Sequence, residues 1–275
     1  MFSNPFVELS ATISPELMQT YVVLMFLAVV GGTLFDVVHK KSAKYFFENA
    51  KKAQEASSRQ VSGGDKVSIA VKTVAEDVLT SAEFCNPKRR IAHLLGMYGF
   101  IAFIIATAVM VFSLPGDVSG FWAFLWHLGA LMVVVGCGWF WFFIRVDVAS
   151  EGHPWNRIVR ADLFVLSLLA TAVFGLLWSF LQGTSVLGVL LLMAFIASSA
   201  VLFCGVFWSK FAHMFFKPAA AFQKRVAKAD GSMDNLPAEA DRSNPADRDR
   251  HSMELLKDAP LDMGLGIKRE APHHY

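Results

Sequence analysis

Residues 186–216 read VLGVLLLMAFIASSAVLFCGVFWSKFAHMFF, an apolar run with no charged residue before Lys210. A helix rises about 1.5 Å per residue, so about 20 apolar residues cross the roughly 30 Å hydrocarbon core of a bilayer. The run therefore predicts a membrane-spanning helix. His213 lies near its end, about one helical turn after Lys210, which predicts an ionisable side chain close to a membrane surface.

The composition of the whole chain agrees with a membrane protein. Of its 275 residues, 55% are hydrophobic and only 17% are charged, against about 25% charged in an ordinary soluble domain. The three cysteines, Cys85, Cys137 and Cys204, are far apart and form no Cys-x-x-Cys pair. This spacing excludes a self-contained iron–sulfur ligand set and a zinc ribbon, and it gives no sign of a disulfide framework.

Four further apolar runs, together with the first, predict an all-α bundle of five transmembrane helices. They cover residues 18–38, 91–112, 120–144 and 163–181. All 25 Lys and Arg residues fall in 40–90, 145–160 or 210–275, which lie on one side of a five-span protein. Because basic segments stay in the cytoplasm, we expect the N-terminus outside and the C-terminus inside.

The same distribution divides the chain into three parts. We expect a periplasmic N-terminus over 1–17, a five-helix membrane domain over 18–229 with a basic cytoplasmic loop at 40–90, and a disordered tail over 230–275. The loop carries eleven basic residues and amphipathic stretches typical of helices that pack on a partner. Because orientation explains the basic residues, nothing indicates nucleic-acid binding.

Three histidines are predicted at the same depth, near the cytoplasmic face. His39 ends the first span, His93 begins the second and His213 ends the fifth. Neutral imidazoles from two helices are the usual axial ligands of a b-type haem, and His93 with His213 is the preferred pair because both lie inside apolar runs. The alternative is that these side chains merely lie at the lipid headgroup level.

A fourth histidine, His127, lies about two turns into the third span from the outer side. It has no histidine partner at that depth, which counts against a second haem. It could face a quinone, share a metal with a methionine such as Met110, or hydrogen-bond to a backbone carbonyl. An intramembrane ionisable residue favours a functional role.

Two other charged groups are candidates for quinone or haem chemistry. Asp36 precedes His39 by three residues and so shares its helix face, where the pair could pass protons to a quinone. A salt bridge from Asp36 to Lys40 or Arg90 is the alternative. Arg90 could also hold a haem propionate, although orientation already explains it. Asp162 is predicted to be a helix N-terminal acid or an ion-pair partner.

Four stretches together resemble a known group of membrane subunits. They are GTLFDVVHKKSAKYFFENAKK (32–52), RRIAHLLGMYGFIAF (89–103), HPWNRIVRADLFVLSLLATAVFGLLWS (153–179) and SKFAHMFFKPAAAFQ (209–223). Over about 20–225 the chain resembles the membrane subunit associated with dissimilatory adenylylsulfate reductase of sulfur-oxidising bacteria. More distantly, it is similar to the membrane subunit of the quinone-interacting membrane-bound oxidoreductase complex, to the membrane subunit of heterodisulfide reductase and to nitrate reductase gamma-type subunits.

The resemblance implies a subunit of the bacterial inner membrane that binds b haem through histidines and exchanges electrons with quinone. It implies His93 and His213 as haem ligands, with His39 and His127 next. The chain departs from the two-haem members because it lacks an outer histidine pair, so one haem is implied. It also lacks an iron–sulfur domain, so electrons would come from a separate cytoplasmic flavin and iron–sulfur reductase.

These observations predict an anchor and electron-transfer subunit that links a cytoplasmic sulfur-metabolism oxidoreductase to quinone. Such a subunit is either non-catalytic or quinone-reactive. The alternative is a redox-inert anchor that only docks the soluble reductase. A transporter is disfavoured because no broken helices occur at corresponding positions in two halves.

Overall fold

The computed structural model describes residues 3–39, 42–82, 84, 86–116, 118–147, 152–183, 185–209, 211, 213–233, 236 and 245–246. Within this part of the chain the regular structure is helical, with no β-strand. The helices are α1 (Pro5–Leu9), α2 (Pro15–His39), α3 (Ser42–Glu55), α4 (Gly63–Thr73), α5 (Pro87–Phe112), α6 (Gly120–Trp139), α7 (Leu163–Leu181), α8 (Ser185–Cys204) and α9 (His213–Ala229). A π-helical turn, Val74–Leu79, extends α4, a second one, Phe140–Ile144, extends α6, and a 3₁₀ turn, Arg160–Asp162, precedes α7.

Five of these segments are long and apolar enough to cross a membrane. They are Pro15–His39, Pro87–Phe112, Gly120–Ile144, Arg160–Leu181 and Val186–Cys204. The predicted all-α fold with five spans is thus confirmed, and the chain is of the multi-pass membrane type. The predicted disordered tail lies almost entirely outside the described residues, and the side of the membrane that each helix end faces stays a prediction.

Contacts between helix ends define two ends of the bundle. At one end, the Gln19 side-chain amide near the start of α2 donates to the carbonyls of Val111 and Leu114 at the end of α5, at 3.3 and 3.4 Å. At the other end, Phe35 of α2 contacts Phe207 beyond α8, with ring centroids 4.5 Å apart. We call the second the basic end, because the Lys- and Arg-rich segments begin there, and the first the opposite end.

Helices α5 and α6 approach closely through glycine. A Cβ atom built on Gly99 would lie 2.7 Å from the carbonyl oxygen of Gly129, and one on Gly129 would lie 2.7 Å from the backbone nitrogen of Phe103. A Cβ on Gly136 would lie 2.6 Å from the carbonyl oxygen of Ala92. Small residues allow such contact in lipid, where helices associate by close packing rather than by hydrophobic burial.

Large aromatic side chains fill the core between the helices. Trp126 and Trp178 are almost fully buried, and Trp178 stacks on Phe195 with ring centroids 5.8 Å apart. Phe6 of α1 joins this core and lies 6.0 Å from the Trp126 ring. The segment predicted to be the periplasmic N-terminus thus contains a short helix, α1, whose Phe6 is buried in the bundle.

The prediction of one continuous helix over 186–216 is wrong. Helix α8 ends at Cys204, and the backbone nitrogens of Trp208 and Ser209 both bond to the carbonyl of Gly205, which forms a turn. A Cβ at Gly205 would collide with the carbonyl oxygen of Val201, so glycine suits this tight turn. His213 consequently begins a separate helix, α9, rather than ending the fifth span.

The α5–α6 contact predicts different effects for two glycines on α6. Gly136→Ala is expected to destabilise the fold by about 1–3 kcal/mol, since the new methyl group has no room. Gly138→Ala is the matched control, because a Cβ there meets nothing within 4 Å. Thermal unfolding in detergent, followed by circular dichroism, measures both; equal unfolding temperatures would contradict the close packing.

Candidate functional site

Three of the four histidines singled out in the sequence belong to the basic end. His39 ends α2, His93 lies in the second turn of α5, and His213 begins α9. The Phe84 ring lies 4.8 Å from the His93 ring and 5.2 Å from Nζ of Lys217, one turn beyond His213. The starts of α5 and α9 are therefore neighbours. The side chain of His213 lies outside the described part of the structure.

The last turns of α2, together with one ring beyond α8, form a group of side chains that we call the α2 cluster: Thr33, Phe35, Asp36 and His39 of α2, and Phe207. Asp36 is buried, with 3% of its surface exposed. The Thr33 hydroxyl oxygen is buried and finds no hydrogen-bond partner among the described residues. His39 stacks on Phe35 at 5.4 Å between centroids and meets Phe207 edge-on at 5.6 Å.

The α2 cluster thus combines hydrogen-bonding groups with flat apolar surfaces. Buried polar side chains normally have partners, and the Thr33 hydroxyl has none among the described residues. Asp36 and His39 are the two residues predicted to act on quinone protons, and the structure adds Phe207, which contacts the His39 ring. Phe207 was not predicted, because its contact with α2 depends on the turn at Gly205.

The His93 ring is held by the segment that follows the first π-helical turn. The Ser81 hydroxyl lies 3.0 Å from Nδ1 of His93, and Phe84 packs against the ring. Ser81 is buried and has a φ of +48°, a left-handed backbone conformation that is uncommon for residues other than glycine. The interaction with Ser81 orients the imidazole relative to α5.

The same segment is bonded to two further side chains of α5. Arg90 donates from Nε to the carbonyl of Thr80 at 2.7 Å, and the Tyr98 hydroxyl donates to the carbonyl of Leu79 at 2.6 Å. Arg90, which was predicted to hold a haem propionate or to pair with Asp36, therefore also ties the π-helical turn to the start of the second span.

His127 is buried near the opposite end and is hydrogen-bonded within the protein. Its Nδ1 lies 2.7 Å from the carbonyl oxygen of Ala123, and its Nε2 lies 3.1 Å from the Ser179 hydroxyl. A carbonyl only accepts, so Nδ1 carries the proton, while the single Ser179 hydroxyl proton is within reach of both Nε2 of His127 and the carbonyl of Leu176, 2.8 Å from the hydroxyl oxygen. Of the three predicted alternatives, the structure contains the hydrogen bond to a backbone carbonyl.

The side chain of His213 lies outside the described residues, so haem ligation by His93 and His213 stays a prediction, and the other described histidines have contacts within the protein. His127 points Nε2 at Ser179, His39 packs between two phenylalanines, and His93 faces Ser81. The large cavity of the described region is lined by no histidine. Nor do the described His, Cys, Asp and Glu side chains form a group of three that could hold a metal ion.

Next to the basic end, α3, α4 with its π-helical turn, and α9 pack together into a unit that we call the platform. Arg225 of α9 donates to both carboxylate oxygens of Asp77 at 3.0 Å and to Glu76 at 2.8 Å. The carbonyl of Asp230 accepts from the backbone nitrogens of Ser58 and Arg59 at 3.0 and 3.1 Å. The helices predicted in the basic loop therefore pack against α9 as well.

The charge of Arg225 strengthens this unit. Burial lowers the pKa of the guanidinium, but hydrogen bonds and charge from Glu76 and Asp77 outweigh that effect and raise the pKa above its ordinary value. The guanidinium is therefore cationic at every physiological pH, so Arg225 does not lose its charge and its ion pairs with Glu76 and Asp77 are not broken by deprotonation of the arginine.

A buried ion pair joins the third and fourth spans at the basic end. Arg145 donates to both carboxylate oxygens of Asp162, at 3.0 and 2.7 Å, and its guanidinium lies 4.4 Å from the Trp141 ring. The sequence predicted an ion pair or a helix-end role for Asp162, and both are present: Arg145 is its partner, and Asp162 also accepts from the backbone nitrogen of Val159 at 2.9 Å. The aromatic run just before Arg145 could have indicated that this arginine is buried, since an arginine side chain stacks well on aromatic rings.

Comparison of the chain with protein-family profiles, with curated proteins and with solved structures finds no match in any of the three.

The platform contacts predict a role for Arg225 in holding α9. Arg225→Gln is expected to speed cleavage of the platform by thermolysin about fivefold or more, the factor given by about 1 kcal/mol, because Glu76 and Asp77 would lose their shared cation. Lys66→Gln on α4, an exposed position, is the control. Equal cleavage rates for both variants and the unmodified protein would show that Arg225 does not hold α9.

Proposed function

We propose that the chain is the membrane subunit that anchors a cytoplasmic sulfur-metabolism oxidoreductase, of the adenylylsulfate reductase type, and links it to the quinone pool. In this proposal the protein lies in the bacterial inner membrane with the basic end toward the cytoplasm. The soluble reductase docks on the platform, and quinone reacts at the α2 cluster. The observation that carries the proposal is the α2 cluster beside the platform, at one end of the bundle.

The charge distribution supports the orientation. Every Lys and Arg lies in one of three places: between the end of α2 and the first turn of α5, between α6 and α7, or after α8. The connections at the opposite end have none. Excess Lys and Arg in short connections retains a segment in the cytoplasm. The platform is then on the side where a soluble reductase is available.

The α2 cluster supports a site for a quinone head. The Phe35 and Phe207 rings, which lie beside the His39 imidazole, offer flat apolar surfaces against a planar quinone ring. Reduction of a quinone to its quinol takes two electrons and two protons. Asp36 and His39, one turn apart, would supply protons from the cytoplasmic side, and the docked reductase would supply the electrons.

The haem that the resemblance implies has no step in this proposal. The described side chains do not assemble two facing histidines, so a haem would require His213 together with His93. When bound, such a haem would carry single electrons between the reductase and quinone. The function of the α2 cluster is independent of it.

A redox-inert anchor is the second candidate, and one observation favours it. His127, His39 and His93 all have contacts that a purely structural role explains: a carbonyl, stacked rings and a serine hydroxyl. In such an anchor the platform would dock the reductase and the electrons would leave the reductase by another route.

Substitutions in the α2 cluster separate the two candidates. In membranes carrying the complete complex, Asp36→Asn and His39→Phe are each expected to lower quinone-dependent turnover about 10²-fold, the usual loss when a proton-transferring group is removed. His39→Phe keeps an aromatic ring against Phe35 and Phe207, so it tests the imidazole rather than the packing. His153→Phe, in the connection before α7, is the matched control.

A second assay with a soluble artificial electron acceptor checks that the reductase is still bound and active. Retained activity with this acceptor, together with lost activity with quinone, is the expected result. Unchanged turnover with quinone in both variants would contradict the quinone site and leave the redox-inert anchor.

A further inference from the structure

A long apolar cleft of about 900 Å³ lies between α2 and the rest of the bundle. This volume is near the upper limit of small-molecule sites, which span about 300–1,000 Å³. The cleft begins at the opposite end, beside Leu9 and Leu17, and its lining on α2 ends at Val29. Its lining includes Leu9 of α1, Val29 of α2, Ala108 of α5, Phe195 of α8, and Phe211 and Met214 beyond α8.

The cleft is open along the side that faces lipid in a bilayer. Several of its lining residues are strongly exposed, among them Phe26 of α2 at 66% and Ile105 of α5 at 48%. Helix α2 is also the least buried of the five candidate spans, with 6% of its most apolar window buried. Chains from the surrounding bilayer can therefore enter without passing through the protein.

Polar groups of the lining are mostly engaged with the protein. The lining contains five hydroxyl side chains, and all except Thr20 lie within hydrogen-bond distance of a backbone carbonyl. The four are Tyr21 with Ile196, Thr107 with Phe103, Thr171 with Ser167, and Ser199 with Ile196. A quinone head needs donors for its carbonyls, whereas a hydrocarbon chain needs none. The lining thus suits hydrocarbon.

We propose that this cleft holds an acyl chain of a membrane phospholipid, which joins α2 to the bundle. In the described part of the chain, hydrogen bonds join α2 to the other spans at Gln19, which bonds to the end of α5, and at Tyr21, which bonds to Ser199. Between them an acyl chain supplies the packing that the side chains do not. This site does not depend on electron transfer, and it is distinct from the α2 cluster, none of whose residues line the cleft.

Native mass spectrometry of the full chain in mild detergent, with extraction of retained lipids, tests the proposal. The unmodified protein is expected to retain phospholipid. Ala108→Phe fills the cleft and is expected to lose most of it, whereas Ala197→Phe, on the exposed face of α8 outside the lining, keeps it. Quinone retained in place of phospholipid, or equal retention by both variants, would overturn the proposal.

Two further measurements guard against a misfolded variant. Val29→Phe narrows the cleft from α2 and is expected to repeat the loss seen with Ala108→Phe, and gel filtration with circular dichroism reports whether each variant folds. Delipidated unmodified protein is expected to unfold at a higher temperature when phospholipid is added back. Absence of that rise would overturn the proposal without reference to any variant.

Discussion

The close contact between α5 and α6 is the interaction on which the bundle depends. Lipid tails are as apolar as the helix surfaces, so transmembrane helices gain little from burial and must associate by close packing. Gly99, Gly129 and Gly136 allow the backbones to approach until a methyl group would collide. This contact fixes the start of α5 beside the end of α6, and with it the positions of His93 and of the Arg145–Asp162 ion pair.

The helices around this contact differ in how deeply they are buried, and the proposed function depends on the least buried one, α2. Helices α5 to α8 share an aromatic core around Trp126 and Trp178, whereas α2 is the least buried of the candidate spans and borders the open cleft. The α2 cluster lies where this helix meets the turn after α8. A site at such a boundary is reached from the bilayer without opening the core, which is what a lipid-soluble redox partner requires.

Hydropathy and charge predicted the five spans and the common end of three histidines, because both depend on local composition. They did not predict the turn at Gly205, since an apolar run reads the same whether it continues as one helix or bends. The burial of Phe6 and the pairing of Asp162 with Arg145 were also missed, because each depends on residues distant in the sequence. For the candidate site, Asp36 and His39 were predicted from their spacing on α2. The burial of the Thr33 hydroxyl and the contact of Phe207 with α2 depend on how the helices pack, so neither could be predicted from the sequence.

Photoaffinity labelling with a light-activated quinone analogue tests the central claim most directly, because it locates the quinone without relying on turnover. In membranes that carry the complete complex, the account predicts label on residues 33–39 and 205–209, and loss of that label when native quinone is added in excess. Label confined to the opposite end around His127, or label that native quinone does not displace, would contradict the account.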